Sequence, residues 1–210
     1  VIVKEAFGGF GRNIFNPAIS GRLFVYLTFA PPMTTGFVSS GTFGIDATSA
    51  ATPMALIKQG AAPDIMPLLT GVRSGSIGES AIILIILSGV FLIATRTASF
   101  RIILSTIASA TLLAGSLWLA GTGGVYAPHV MLLTGSILFV SVFFATDPVS
   151  APKKALAQWV YGIVIGSSTV LIRFFAPWAE GTSFAVLVGN TFAPLLDDLF
   201  TKRETNENAG

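Results

Sequence analysis

The sequence predicts an all-α membrane protein, a polytopic bundle of about six transmembrane helices that forms a single membrane domain over residues 1–210. Of its 210 residues, 52% are hydrophobic and only 10% are charged, and the mean hydropathy is +0.78. Soluble domains are much less apolar than this. Long apolar stretches also recur along the chain at the length that crosses a hydrocarbon core about 30 Å thick.

Six stretches are long enough to serve as spans. They cover approximately residues 16–34, 79–95, 101–120, 129–146, 156–175 and 182–200. Because the connections after the long 35–78 segment are short, consecutive spans are expected to be antiparallel neighbours.

Two spans contain residues that break helices, and a third contains a small-residue pair. The expected interruptions are Pro31 and Pro32 in the first span and Gly189, Asn190 and Pro194 in the last. Gly162 and Gly166 form a GxxxG pair, which indicates close packing against another helix.

The distribution of lysine and arginine predicts the orientation, because short loops rich in these residues stay in the cytoplasm. With the N-terminus inside, the inner segments hold Lys4, Arg12, Arg96, Arg101, Lys153, Lys154, Lys202 and Arg203. The outer segments hold Lys58, Arg73 and Arg173. Segment 35–78 is therefore predicted on the outer side, with Trp159 near the inner interface.

Several chemistries are excluded by composition. The chain has no cysteine and a single histidine, His129, so neither a thiolate site nor a histidine cluster can bind a metal. A net charge of +2, with basic residues scattered through loops, does not fit nucleic-acid binding. The N-terminus lacks a signal peptide and starts without methionine, which indicates that the numbering begins inside a longer protein.

The first candidate site is "GIDATSAATPMALIKQG", residues 44–60. Asp46 and Ser49 are good helix N-caps, so one interpretation is a short capped helix on the membrane surface. A threonine before proline gains little in a helix, however, and small neighbours leave the Thr52 hydroxyl accessible. The alternative is covalent modification of Thr52.

The second candidate is "GVRSGSIGES", residues 71–80. Glycines before a helix expose backbone N–H groups, and Arg73 adds positive charge, so an anionic group could bind with Ser76 and Gly78. The alternative is an ordinary loop with a serine cap.

The third candidate set is acidic. Asp147 and the pair Asp197 and Asp198 lie near predicted inner helix ends, and Glu79 lies near an outer end. Carboxylates beside a membrane span often mark cation routes, although at a helix end they can simply be solvated or paired with lysine. Position favours the second interpretation for Asp198 and leaves Asp147 and Asp197 open.

Together these segments resemble a known family. "GGFGRNIFNPAISGR", "GIDATSAAT", "GSIGES", "TASFRII", "FFATDPVSA", "WVYGIVIG" and "EGTSFAVLVGNTFAPLLDD" occur in an order similar to that of the NqrB/RnfD family. Its members are membrane subunits of the sodium-translocating NADH:quinone reductase (NqrB) and of the Rnf electron-transport complex (RnfD). The resemblance covers nearly the whole chain. It implies the C-terminal part of a longer subunit with about ten spans in inverted repeats.

In that family, a threonine ending an Asp-x-x-Ser-(Gly/Ala)-Ala-Thr pattern carries FMN through a phosphoester. The resemblance therefore implies FMN on Thr52, with Asp46 and Ser49 as parts of the motif. A flavin transferase working outside the cytoplasmic membrane attaches the group, using FAD and magnesium.

The resemblance also implies the function. Electrons from a partner subunit's flavin pass through FMN towards riboflavin and quinone, and redox energy is coupled to sodium movement. Asp147 and Asp197 match acidic positions that could help cation entry. The partners implied are the other subunits of a multi-subunit complex in the bacterial inner membrane.

Two alternatives remain. In the Rnf branch, which "DATSAATPMA" resembles, electrons run between ferredoxin and NAD without a quinone; the other motifs favour the quinone-reductase branch. An interpretation from another class is a passive channel or small-solute transporter, for which the Thr52 motif has no use.

Overall fold

The computed structural model describes residues 2–6, 11–30, 52–58, 64–76, 78–176 and 181–207. All regular structure within these ranges is helical, which confirms the predicted all-α class. A π-helical turn, Ile2–Ala6, is followed by nine α-helices in the described part. They are α1 (Pro17–Thr28), α2 (Pro53–Lys58), α3 (Ile65–Thr70), α4 (Ile82–Ala94), α5 (Phe100–Leu119), α6 (Pro128–Leu133), α7 (Ile137–Phe143), α8 (Ala155–Phe175) and α9 (Thr182–Glu207).

Three helices are long and apolar enough to cross a membrane. They are α5, α8 and the stretch Thr182–Lys202 of α9. Helix α4 is apolar but has only 13 residues, and α1 has 12. The prediction of six full-length spans was therefore too regular for the described residues.

The span predicted over residues 129–146 is wrong as a single helix. It is divided into α6 and α7 at Thr134-Gly135-Ser136. Thr134 is extended, with φ −102° and ψ 140°, and Gly135 has φ 72°, a left-handed conformation that glycine adopts at little cost.

The interruption predicted in the last span is also wrong, because α9 runs unbroken through Pro194. Proline removes one backbone hydrogen bond, which a helix packed inside a bundle tolerates. Gly189 instead allows close packing, since an added Cβ would lie 2.8 Å from Ile165 Cγ1. Asn190 accepts a hydrogen bond from Tyr161 Oη at 2.7 Å.

The first span starts as predicted and ends early. Asn16 caps α1, its Oδ1 accepting hydrogen bonds from Ala18 N at 3.0 Å and Ile19 N at 3.2 Å. Helix α1 ends at Thr28, and the predicted interruption at Pro31 and Pro32 lies outside the described residues.

The core forms where α8 packs against α5 and α9. Its largest buried cluster includes Ile102, Tyr161, Ile165 and Val186. At Gly162, a Cβ would overlap Ser105 Oγ and lie 2.9 Å from Ile102 O; at Gly166 it would overlap the carbonyl of Thr106. The GxxxG pair therefore allows the close α5–α8 approach, as its spacing predicts.

The described helices have their ends at two opposite faces of the bundle. At one face Ser99 Oγ, before α5, donates to Gln158 Oε1 at 2.7 Å, and Phe100 meets Trp159 edge-on at 6.5 Å. At the other face α8 ends and α9 begins. The two core helices α5 and α8 are therefore parallel, with the α6–α7 pair returning between them in sequence.

Replacing Gly162 by alanine should destabilise the protein by about 1–3 kcal/mol, the usual cost of overfilling a packed contact. Thermal unfolding in detergent measures this. Gly115→Ala is the matched control, because a Cβ there would make only an ordinary 3.5 Å contact with Pro128. Equal unfolding temperatures for the two variants would contradict the assignment.

Candidate functional site

The most unusual feature is the gap between α6 and α7. Inside a membrane a helix end must satisfy its free carbonyl groups within the protein. Met131, Thr134, Ser136 and Ile137 around the gap are all at most 1% exposed. Partners for the carbonyls must therefore come from other elements.

Arg173, on the last turn of α8, supplies the main partner. Its Nη1 donates to Met131 O at 2.9 Å and to Thr134 O at 3.2 Å, and its Nη2 donates to Thr182 Oγ1 at 3.2 Å. Any Cβ at residue 135 would lie 2.7 Å from Nη2, so Gly135 also makes room for the guanidinium. A positive charge at a helix C-terminus is favourable because it faces the negative end of the helix dipole.

Arg73 supplies the second partner. Its Nη1 donates to Leu133 O at 3.0 Å and its Nη2 to Glu79 O at 2.7 Å. Burial lowers the pKa of the Arg73 guanidinium below its ordinary value, and the Glu79 carboxylate partly offsets this. Two arginines from separate elements thus hold the same end of α6.

These contacts change the interpretation of both outer arginines. Arg173 is only 3% exposed, so it is a buried structural residue rather than the outer-loop charge that the sequence predicted. Arg73, predicted to bind an external anion, has both terminal nitrogens on backbone carbonyls of this chain.

The other members of the predicted anion site also face a group of this protein. Ser76 N donates to Glu79 Oε1 at 3.2 Å, and Glu79 N donates to Ser76 O at 3.3 Å. Gly78 lies against the Phe139 ring, which a Cβ would contact at 3.5 Å. The Glu79 carboxylate therefore occupies the position where an anion was predicted.

Thr52 lies at the start of α2. Its carbonyl accepts the first helical hydrogen bond, from Leu56 N at 3.0 Å, so it occupies the N-cap position before Pro53. It is half-buried. Asp46 and Ser49 of the same motif lie outside the described residues.

Helix α2 is anchored beside the gap. Met54 and Ile57 are 7% and 2% exposed, and Met54 Cε would be 3.5 Å from a Cβ at Gly135. Arg173 approaches the same glycine. The structure thus brings the Thr52 segment and the α6–α7 gap together, a juxtaposition that the sequence did not predict.

Asp147 lies at the opposite face of the bundle. Its Oδ2 accepts from Ser150 Oγ at 2.7 Å and from Asn16 Nδ2 at 3.5 Å, and its Oδ1 accepts from Val149 N at 3.2 Å. The carboxylate thereby links the α7–α8 loop to the start of α1.

Asp197 has an equally defined structural role. Its Oδ1 accepts from Lys153 N at 3.0 Å and Lys154 N at 2.9 Å, so a side chain of α9 caps the N-terminus of α8. Asp198 pairs with Lys202 at 3.4 Å on the surface, as predicted. Within the described ranges, no group of three or more His, Asp or Glu side chains is arranged to hold a metal ion.

Comparison with known proteins now identifies the family. The model of the NQR2, RnfD, RnfE family matches residues 1–206. The chain belongs to this family. The resemblance inferred from the motifs is confirmed, and with several candidate spans the chain is a multi-pass membrane protein.

Individual relatives carry one name. Proteins named as the NqrB subunit of a Na(+)-translocating NADH-quinone reductase are 34% identical in Azotobacter vinelandii and 36% identical in Klebsiella pneumoniae and Pseudoalteromonas atlantica. The alignments cover 94%, 95% and 94% of this chain and 51%, 52% and 51% of those proteins. The chain therefore spans about half the length of the relatives it matches.

Sequence reasoning missed the split helix and its arginines. The signal was present in Thr134-Gly135-Ser136, three small or polar residues in an apolar run, and in Arg173 close to the end of a span. Hydropathy alone averaged over both.

Replacing Arg173 by methionine should destabilise the protein by about 2–3 kcal/mol, because two buried carbonyl groups lose their donor. Arg173→Lys should lose less, since one ammonium can replace only part of the planar fork. Chemical unfolding in detergent measures both, with the exposed Arg12→Met as control. Equal stability of Arg173→Met and the control would contradict the role given to Arg173.

Proposed function

We propose that this chain is the FMN-bearing part of the NqrB subunit in a sodium-translocating NADH:quinone reductase, with FMN esterified to Thr52. The observation that carries the proposal is the position of Thr52. It ends the Asp46–Thr52 motif and begins a helix whose Met54 is anchored at the α6–α7 gap. The names of the relatives support the same complex.

The residues that the structure describes fit such a group. Thr52 offers a hydroxyl for a phosphoester, and the N-cap position holds its backbone in place. In the attachment reaction, Thr52 Oγ1 bonds to the phosphorus of the FMN half of FAD, the pyrophosphate bond breaks, and AMP leaves with loss of the hydroxyl proton. A flavin transferase with magnesium carries this out on the outer side of the inner membrane.

Once bound, FMN supplies one-electron transfer between a partner subunit's flavin and the next acceptor. The protein's contribution is positional. Met54 and Ile57 fix α2, and Arg173 and Arg73 fix the element on which α2 rests. In the quinone-reductase branch, electrons continue to riboflavin and quinone, and the complex moves sodium.

The Rnf branch is the second candidate, because the family description includes both kinds of protein. In that branch the electrons run between ferredoxin and NAD. The electron donor and acceptor of the purified complex distinguish the two branches, and a passive channel would carry no flavin at all.

Coexpression of the full-length protein with a flavin transferase should add one FMN to the intact mass, and Thr52→Val should abolish the addition. Valine is the right replacement because it keeps the shape of threonine without the hydroxyl. Thr48→Val and Ser49→Ala test the neighbouring hydroxyls. An unmodified wild-type protein, or an FMN retained in Thr52→Val, would refute the attachment.

The sodium route through Asp147 and Asp197 can be separated from their structural roles. Asp197→Asn removes the charge but keeps Oδ1, which accepts from both lysine N–H groups. If the charge meets sodium within about 4 Å, half-maximal turnover should require about ten-fold more sodium. Asp147→Asn should act in the same direction.

Asp198→Asn is the control, since its carboxylate is 71% exposed and one residue away. Unchanged sodium dependence in both Asp147→Asn and Asp197→Asn would leave these carboxylates only their hydrogen-bonding roles.

A further inference from the structure

A cleft of about 610 Å³ opens at the face where α5 and α8 begin. It lies between the α4–α5 turn and the α7–α8 loop. Three of its lining residues are the cations Arg96, Arg101 and Lys153. Within the described residues, no carboxylate forms an ion pair with any of them.

The one carboxylate in the cleft belongs to Asp147, whose oxygens accept hydrogen bonds from Ser150, Val149 and Asn16. The cleft therefore carries a surplus of positive charge, which suits an anionic group.

Arg96 is held in the cleft by an uncommon backbone conformation. Its φ is 57°, in the left-handed region that glycine adopts at lower cost. The turn after α4 would be relaxed by glycine, so the side chain is kept there for a reason other than the turn.

The depth of the cleft is marked by aromatic residues. Trp159 contacts Phe100 edge-on, and the Arg101 guanidinium lies 5.0 Å from the centre of the Phe100 ring. Tryptophan favours the membrane–water interface, so these contacts place the cleft at headgroup level.

An apolar path leads away from the cleft. An adjoining cavity of about 390 Å³ shares Ala98 and Thr146 with it. This cavity in turn shares Leu92 and Phe143 with a groove of about 420 Å³ between α4 and α7. The groove also contains Phe91, which is 66% exposed.

We propose that the cleft binds the headgroup of an anionic phospholipid and that an acyl chain follows the groove along α4 and α7. Three cations without a carboxylate partner require an anion, and the connected groove requires an apolar chain on the same molecule. A neutral quinone would fill the groove but leave the cations uncompensated.

Native mass spectrometry of the purified complex, titrated with dioleoyl phosphatidylglycerol or dioleoyl phosphatidylcholine, tests the headgroup. Wild type should bind the anionic lipid more tightly. Arg96→Gly should weaken this binding about five-fold, as expected for one cation near an anionic lipid. Its unfolding temperature in phosphatidylcholine should not fall, because glycine relaxes the turn.

Lys202→Gln is the matched control, since Lys202 lies outside the cleft, is 75% exposed and pairs with Asp198. It should bind phosphatidylglycerol as wild type does. Phe91→Ser should weaken binding of the dioleoyl lipid more than binding of dihexanoyl phosphatidylglycerol, which is too short to follow the groove.

Four results would overturn the proposal. They are equal binding of the two headgroups by wild type, equal losses in Arg96→Gly and Lys202→Gln, displacement of the lipid by millimolar inorganic phosphate, and its displacement by ubiquinone. The last two would assign the cleft to a free anion or to a quinone.

Discussion

A helix that ends inside a membrane leaves carbonyl groups with no water to solvate them, and the rest of this structure depends on how that need is met at the end of α6. Arg173 and Arg73 donate to three of these carbonyls from α8 and from the loop before α4. Because their planar guanidinium groups reach several acceptors at once, they join elements that are distant in sequence. Helix α2 rests on the result, with Met54 against Gly135.

The opposite face uses side-chain caps for the same purpose. Asp197 caps α8, Asn16 caps α1, and Asp147 ties the start of α1 to the α7–α8 loop. Carboxylates at membrane helix ends can therefore be essential to the fold and still belong to an ion route. A charge-removing substitution that keeps the oxygen atom separates the two roles, whereas alanine removes both.

Much of this architecture follows from local patterns in the sequence. Composition predicts the membrane class, and the small-residue spacing of Gly162 and Gly166 predicts close helix packing. The division of residues 129–146 could not be read from hydropathy, because three residues change the mean little while reversing the backbone at Gly135. The burial of Arg173 depends on carbonyl groups some forty residues earlier, so no local pattern encodes it. Pro194 is the reverse case: a strong local breaker that packing overrides.

The central claim is that the split helix and its arginines position the segment that ends in Thr52. Flavinylation kinetics of the full-length protein test it most directly, with FMN occupancy of the Thr52 peptide followed by mass spectrometry in wild type, Arg173→Lys and Arg12→Lys. The account predicts that Arg173→Lys slows FMN attachment although Thr52 itself is unchanged, while Arg12→Lys matches wild type. Equal rates in all three proteins would contradict it.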